Sequence, residues 1–354
     1  MATSRPIQRR DDPRKVTGKA QPSQGTPSSK GKPVSQGKPT TQAKPAAARK
    51  SGRPGGKPGA PVRPATVGDW IDGARLRTLP LAIVPVALGS AAAYLVSNPG
   101  WHWVRILLCL AVALFLQIGV NFANDYSDGI RGTDRYRVGP SRLTGSGAAR
   151  PRTVLTVALV FFGLAAVTGL VLVILSGTYW MLAVGAVCIV AAYFYTGGKH
   201  PYGYYGLGEV FVFVFFGLVA TAGTTFVQVQ TVNIESWLAG IAAGSLACAV
   251  LMVNNIRDIQ ADRAAGKRTL AVLIGPIASR VVFCILLLLP FAILAILALF
   301  YSIAWLGFFA LLLAVPACII TITAKTSKEL ILALQLTSFT GLAFAIALGS
   351  AFVF

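Results

Sequence analysis

The chain has 354 residues and a formal net charge of +20, yet only 12% of its residues are charged and 55% are hydrophobic. From Trp70 onward apolar runs near twenty residues recur with short interruptions, which excludes a soluble globular enzyme and predicts a polytopic membrane protein. Cys109, Cys188, Cys248, Cys284 and Cys318 all fall in apolar runs without metal-ligand spacing, so they read as small core or lipid-facing residues.

Residues 1 to about 67 are a different material, rich in Pro, Gly, Ser, Gln, Lys and Arg and nearly devoid of large apolar side chains. Such a segment cannot bury enough surface to offset its ordering entropy, and disorder is expected. It is either a solvated tail or one held loosely by anionic lipid headgroups, at about 1 kcal/mol per basic residue. No aromatic residues interleave with the charges, so nucleic-acid binding is not expected. Nor does an apolar stretch follow the basic start, as a signal peptide requires.

The remainder, 68 to 354, is expected to be an all-α membrane domain of about nine spans. These run from 80 to 96, 102 to 124, 153 to 176, 178 to 196, 207 to 228, 234 to 256, 279 to 300, 302 to 324 and 330 to 353. Lys and Arg concentrate on one side: Arg75 and Arg77 before the first span, Arg131 to Arg152 after the second, Lys199 after the fourth, Arg257 to Arg280 after the sixth, Lys325 and Lys328 after the eighth. Only Arg105 falls near the other side. By the positive-inside rule the N-terminus is cytoplasmic and the C-terminus extracytoplasmic, in the cell membrane.

Only twelve residues are acidic, and five of them gather where two spans end. Asp125, Asp128 and Asp134 follow the second span, and Asp258 and Asp262 follow the sixth. Each group opens with an Asn four residues before its first Asp, Asn121 and Asn254, and at helical spacing these pairs share a face. Asp258 and Asp262 share one too, and like charges so stacked repel unless a cation neutralises them. Taken singly, each group also fits the solvated start of a loop. Together they point to Mg²⁺, which takes one or two carboxylates per ion and leaves its other positions to water and substrate phosphate. Four spans separate the two groups, which suggests two related four-helix halves plus a ninth helix around a central cavity.

Cations are interleaved with these acids: Arg131, Arg135, Arg137 and Arg142 after the first group, Lys199 between, Arg257, Lys267 and Arg268 around the second. Carboxylates for Mg²⁺ beside guanidinium groups that grip phosphate oxygens describe a diphosphate site; the same residues also serve as topology signals. No Gly-x-x-x-x-Gly-Lys-Ser/Thr loop occurs, so nucleoside triphosphate hydrolysis is not expected. The remaining logic is a diphosphate whose attached group is apolar and lies in the membrane. Between the acid groups, Tyr193 to Glu209 carries Tyr195, Tyr202, Tyr204 and Tyr205. Those rings either shield an allylic cation through their faces or form an interfacial belt. Glu209 is a candidate partner of Lys199, and His102 and His200 have no neighbours at ligand spacing.

Four segments in order, Asn124 to Asp134, Val138 to Leu143, Tyr195 to Glu209 and Asn254 to Asp262, resemble the UbiA superfamily of intramembrane aromatic prenyltransferases. Their wording is most similar to its branch acting on 1,4-dihydroxy-2-naphthoate. The resemblance covers about residues 68 to 354. It implies a nine-helix bundle with a cytoplasm-facing cavity, Mg²⁺, and transfer of a long isoprenoid from polyprenyl diphosphate to an aromatic acceptor with loss of CO₂, in menaquinone synthesis. It places Asp125 and Asp128 in the first aspartate motif, Asp258 and Asp262 in the second, and Asn121 and Asn254 beside them. Asp134 comes six residues after Asp128 rather than four, a departure from the commoner superfamily spacing.

The site set is therefore Asp125, Asp128, Asp258, Asp262 and Tyr195 for chemistry, the same four aspartates with Asp134 for metal, and Asn121, Asn124, Arg131, Arg137, Arg142, Lys199, Tyr202, Asn254, Asn255, Arg257 and Lys267 for substrate. Membrane lipids surround the domain, and no obligate protein partner is inferred. Transfer to another ring such as 4-hydroxybenzoate, or ion-coupled transport, are the alternatives.

Overall fold

The computed structural model describes residues 63–96, 101–133 and 142–354. The expected tail lies outside the described residues up to position 62, as do Asp134, Arg135 and Arg137. Among the described residues every regular element is helical: α1 (Val67–Ala74), α2 (Pro80–Tyr94), α3 (Trp103–Arg131), α4 (Pro151–Ser176), α5 (Met181–Phe194), α6 (Gly208–Val212), α7 (Ala220–Val229), α8 (Ile234–Ala264), α9 (Leu270–Leu297), α10 (Leu311–Thr323) and α11 (Ser327–Val353). A π-helical stretch, Phe213–Val219, joins α6 to α7, so that the three run as one span.

Seven helices are long and apolar enough to cross a bilayer, and an eighth span is the pair α1 and α2, bent by 45°. The remaining expected span, 178 to 196, holds α5, an apolar helix of only 14 residues and shorter than those that qualify as spans. The chain is thus a multi-pass membrane protein, with every expected span occupied by a helix. Local chemistry sets the bend: Thr66 and Asp69 form a reciprocal capping box that starts α1, Arg75 ends it with φ 55°, and Pro80 opens α2 at a position where a missing N–H costs nothing.

Two helices overrun their expected ends. α3 continues past 124 to Arg131 and is stopped by Gly132 in the left-handed conformation; α8 continues past 256 to Ala264. Asp125, Asp128, Asp258 and Asp262 thus sit on helix rather than in the loops after it, because nothing in Asn121 to Asp128 or Asn254 to Asp262 breaks the backbone ladder. At 1.5 Å per residue, helices of this length exceed a hydrocarbon layer of roughly 30 Å by about ten residues, and the polar turns project beyond it.

α8 is the buried axis of the bundle. Ala239, Ala242, Ala243, Leu246, Ala249 and Val253 face inward, and α2, α9, α11 and the π-helical stretch pack around them. Small residues permit the closest approach, as membrane helices require in the absence of a hydrophobic driving force between them. A Cβ on Gly217 would lie 2.5 Å from Gly244 Cα and 2.7 Å from Gly240 O. α3 pairs with α4 through Phe122, Val154, Ala158 and Phe162, as α8 pairs with α9. Two arginines tie helix ends: Arg105 donates to Leu175 O and Gln228 O, and Arg280 to Ile322 O and Ala324 O.

Candidate active site

Asp128 is the meeting point. It is 2% exposed, on the last turn of α3. Its Oδ2 accepts from Arg142 Nη1 at 2.7 Å, and its Oδ1 accepts from Tyr204 Oη at 2.6 Å and lies 2.9 Å from Lys267 Nζ. Lys267 also stands 3.9 Å from Asp262 Oδ1 on α8. Two acidic turns far apart in sequence therefore meet across one ammonium. Asp258, one turn before Asp262, is gripped by Arg257 through Nε at 2.9 Å and Nη2 at 2.7 Å.

Tyr204 belongs to a short 3₁₀ turn, Tyr202–Tyr204, between α5 and α6. Its ring lies under two cations, with Lys267 Nζ 4.6 Å and Arg131 Cζ 5.3 Å from the centroid, a cation–π arrangement. Burial, reinforced by the charge of Asp128, pushes the Tyr204 hydroxyl above its ordinary pKa. It stays a neutral donor to the carboxylate. Arg131 also donates to Thr196 O and Gly198 O, closing the C-terminal end of α5.

The two Asn-to-Asp pairs of α3 face different ways. Asn124, one turn before Asp128, accepts from Thr196 Oγ1 at 2.6 Å and borders the cavity. Asn121, one turn before Asp125, donates to Ala74 O and Thr78 Oγ1, tying α3 to the linker before α2. Asp125 accepts the backbone N–H groups of Leu143 (2.9 Å) and Thr144 (2.8 Å). It is turned toward the 142–149 loop, not toward Lys267.

On α8, Asn254 donates to Val250 O and lines the cavity, while Asn255 Nδ2 donates to Glu209 Oε1 at 2.9 Å. Glu209 is buried and Lys199 exposed, so the expected Glu209 to Lys199 pair does not form. The helix start at Gly208 turns the carboxylate inward against α8, away from the loop that carries Lys199. His200 sits at the surface beside Tyr205.

Beneath this cluster lies a cavity of about 180 Å³ whose polar rim includes Arg75, Thr78, Gln117, Asn121, Asn124 and Asn254. Its wall is aromatic. Tyr202 stacks on Phe211 at 3.9 Å between centroids, Phe211 on Phe215 at 5.9 Å, and Tyr195 meets Tyr202 edge-on at 5.5 Å. A second cavity of about 330 Å³, lined almost entirely by apolar residues, shares Ala113, Leu116, Cys188, Phe215 and Ala220 with the first. Polar rim, aromatic wall and apolar extension follow one another, the shape required by a charged head on a long hydrocarbon tail. From the sequence Arg75 reads only as a topology signal, and Tyr204 only as one of four tyrosines that either shield a cation or form an interfacial belt, not as a partner of Asp128. Arg75 carries a signal in retrospect, a basic residue at a bend before a span; Tyr204 is one of several tyrosines in a loop, and nothing in the sequence singles it out.

Among the described residues no three His, Cys, Asp or Glu side chains are gathered at metal-ligand distance. Asp128 and Asp262 nevertheless present hard oxygens from two helices to the position shared by the Lys267 ammonium. Such a pair suits Mg²⁺, which needs one or two carboxylates and completes its shell with water and phosphate.

The UbiA prenyltransferase family profile matches residues 82–330. Over 304 residues the chain is 46% identical to the 1,4-dihydroxy-2-naphthoate octaprenyltransferase of Mycobacterium tuberculosis, covering 82% of this chain and 98% of that one. It is 37% identical over 217 residues to the Escherichia coli protein of the same name, covering 60% and 70%. In fold it is similar to the apo structure of a UbiA homolog from Aeropyrum pernix K1, with a TM-score of 0.59, 16% identity and 75% and 98% of the two chains covered. A UbiA homolog from Archaeoglobus fulgidus bound to DMAPP and Mg²⁺ gives a TM-score of 0.52 at 14% identity, covering 78% and 99%. With the profile spanning most of the helical part and a relative nearly half identical along its length, the chain belongs to the UbiA prenyltransferase family.

Proposed function

We propose that the protein transfers a polyprenyl group from polyprenyl diphosphate to 1,4-dihydroxy-2-naphthoate, forming the reduced form of demethylmenaquinone with release of CO₂ and diphosphate, a step of menaquinone synthesis. The observation that carries this reading is the convergence of Asp128 and Asp262 with Arg142 and Lys267 over a polar-rimmed cavity that deepens into an apolar one. The names of the relatives support the acceptor.

Arg142, Lys267 and Arg75 receive the diphosphate oxygens, for which guanidinium and ammonium donors are suited. Asp128, Asp258 and Asp262 supply hard donors for Mg²⁺, which when bound stabilises negative charge on the departing diphosphate. The allylic C–O bond breaks with its electron pair leaving on diphosphate. The π-rich wall of Tyr195, Tyr202 and Phe211 borders the positive carbon, and the apolar walls keep water from capturing it. Asn124 and Asn254 orient the acceptor. Its ring carbon bearing the carboxylate forms the new C–C bond, and the bond to the carboxylate then cleaves, returning its electron pair to the ring.

The reading places the acidic turns and the N-terminus on the cytoplasmic side of the cell membrane, because basic residues flank those turns. Within the same reading the lipid bilayer is the only surrounding required.

Membranes carrying the protein, supplied with labelled polyprenyl diphosphate and 1,4-dihydroxy-2-naphthoate, test the proposal with Mg²⁺ or EDTA and with wild type or Asp128→Asn. A lipid-soluble prenylated naphthol that requires both metal and Asp128 is expected. Preference for 4-hydroxybenzoate would change the acceptor, and substrate accumulation in vesicles without covalent product would replace the enzyme with a transporter.

A further inference from the structure

We infer that Asp125 is a positioning residue: its carboxylate clamps the 142–149 loop so that Arg142 is held at the diphosphate position. This rests on the proposed diphosphate site. Both oxygens of Asp125 accept consecutive backbone N–H groups, Leu143 at 2.9 Å and Thr144 at 2.8 Å, and the side chain is 2% exposed. Two amides aimed at one carboxylate make an anion cradle of the kind found at tight turns. Within the loop Ser146 N donates to Arg142 O and Ala149 N to Leu143 O; its far end is held from outside, where Ala148 O accepts from Ala65 N, so at the Arg142 end the Asp125 carboxylate is the backbone anchor.

Arg142 is the residue immediately before the clamped amides. Its guanidinium reaches Asp128 Oδ2 at 2.7 Å and Asn124 O at 3.0 Å. Moving the loop moves the guanidinium. A second contact fixes the same loop from α3: Gly129 leaves room for Thr144, whose Cγ2 and Cβ would lie 2.3 and 2.5 Å from a Cβ at that position. One turn of α3 thus divides its work, with Asp128 facing the reacting groups and Asp125 and Gly129 seating the loop that supplies their cation.

The test uses the full chain in lipid nanodiscs, with hydrogen exchange, inorganic pyrophosphate binding and steady-state kinetics read together. Asp125→Asn replaces one acceptor oxygen by a donor that confronts one of the two amides, Leu143 or Thr144, and removes the charge from both bonds. With a charge-assisted bond lost, exchange of those amides and the KM for polyprenyl diphosphate both rise about 10-fold or more. The acceptor KM and the Mg²⁺ concentration for half-maximal activity stay where they were. Gly129→Ala, which leaves Asp125 intact and favours the helix, reproduces the same signature and weakens pyrophosphate binding; it also serves if Asp125→Asn fails to fold. A shifted Mg²⁺ requirement with unchanged loop exchange would make Asp125 a metal ligand and overturn the inference. So would a loosened loop with an unaltered diphosphate KM. Wild type that binds pyrophosphate but prenylates no naphthoate would sink the assigned reaction and leave the clamp standing.

Discussion

Lys267 Nζ lies 2.9 Å from Asp128 Oδ1, so the end of α3 and the loop after α8 are joined by one partly buried ammonium. The neighbouring Arg268 N–H donates to Tyr204 O, and Lys267 N–H to Asp262 O, which fixes that loop over the site. Three separate stretches of chain are thereby held around a single carboxylate.

Replacing Lys267 by Gln removes the ammonium while Arg142 and Tyr204 remain on Asp128. Loss of one charge-assisted contact, worth about 1.5–3 kcal/mol, corresponds to a drop of about 10- to 100-fold in kcat/KM for polyprenyl diphosphate. Steady-state assays with saturating acceptor check this, and an unchanged KM would place Lys267 outside the phosphate contacts.

Tyr204→Phe keeps the ring beneath Lys267 and Arg131 and deletes only the hydrogen bond to Asp128. The expected loss is about 0.5–1.5 kcal/mol, or up to roughly tenfold in kcat/KM, with Tyr204→Ala worse because the cation–π face goes too. The raised folded pKa of Tyr204 gives the sign for pH. Its contribution to stability is complete below the ordinary tyrosine value near 10 and is lost only as pH climbs through the higher folded value. Thermal unfolding of wild type and Tyr204→Phe should therefore differ by a constant amount from neutral pH up to about 10.

Chelation with EDTA should abolish product formation, and Mg²⁺ should restore it. Asp258→Asn and Asp262→Asn should each raise the Mg²⁺ concentration for half-maximal activity, by about tenfold per lost ligand on the scale of a charged contact. Metal titrations of the purified variants read this directly.

Gly217→Ala tests the bundle axis. Its Cβ would meet Gly244 Cα at 2.5 Å and Gly240 O at 2.7 Å, backbone atoms on a buried helix with nowhere to retreat. Overpacking of this kind costs about 1–3 kcal/mol, visible as a lower Tm in detergent.

Arg280→Ala uncaps the end of α10 by removing donors to Ile322 O and Ala324 O. A fall in Tm of the size set by about 1–2 kcal/mol is expected, with the KM values of the folded fraction unaltered. Altered KM values would connect that loop to the site.

The spans were legible because twenty-residue apolar runs report membrane helices almost directly, and the two acidic groups stood out against so few other charges. What the sequence concealed was direction. Asp125 and Asp128 are three residues apart in one motif, yet one turns to a loop and the other to Lys267, a choice made by where the 142–149 loop returns. The arginines hide a further use for a related reason. Arg131 and Arg280 read as topology or phosphate cations and Arg105 as the exception to the charge pattern, and each also donates to helix-end carbonyls that only the packed bundle brings near. Glu209 seemed paired with Lys199 because both flank one loop, and the start of α6 buried it against Asn255 instead.

The overrun of α3 and α8 sets where the two halves of a lipid substrate reside. By length, their acidic turns extend past an apolar layer of roughly 30 Å, while the larger cavity is lined almost wholly by apolar residues. Under the proposed reaction, diphosphate is discharged into water, CO₂ escapes, and the prenylated ring never leaves the oily phase. Diphosphate and prenylated ring diverge into separate solvents as soon as they part, and dilution in each, with the loss of CO₂, opposes the return reaction without any gate.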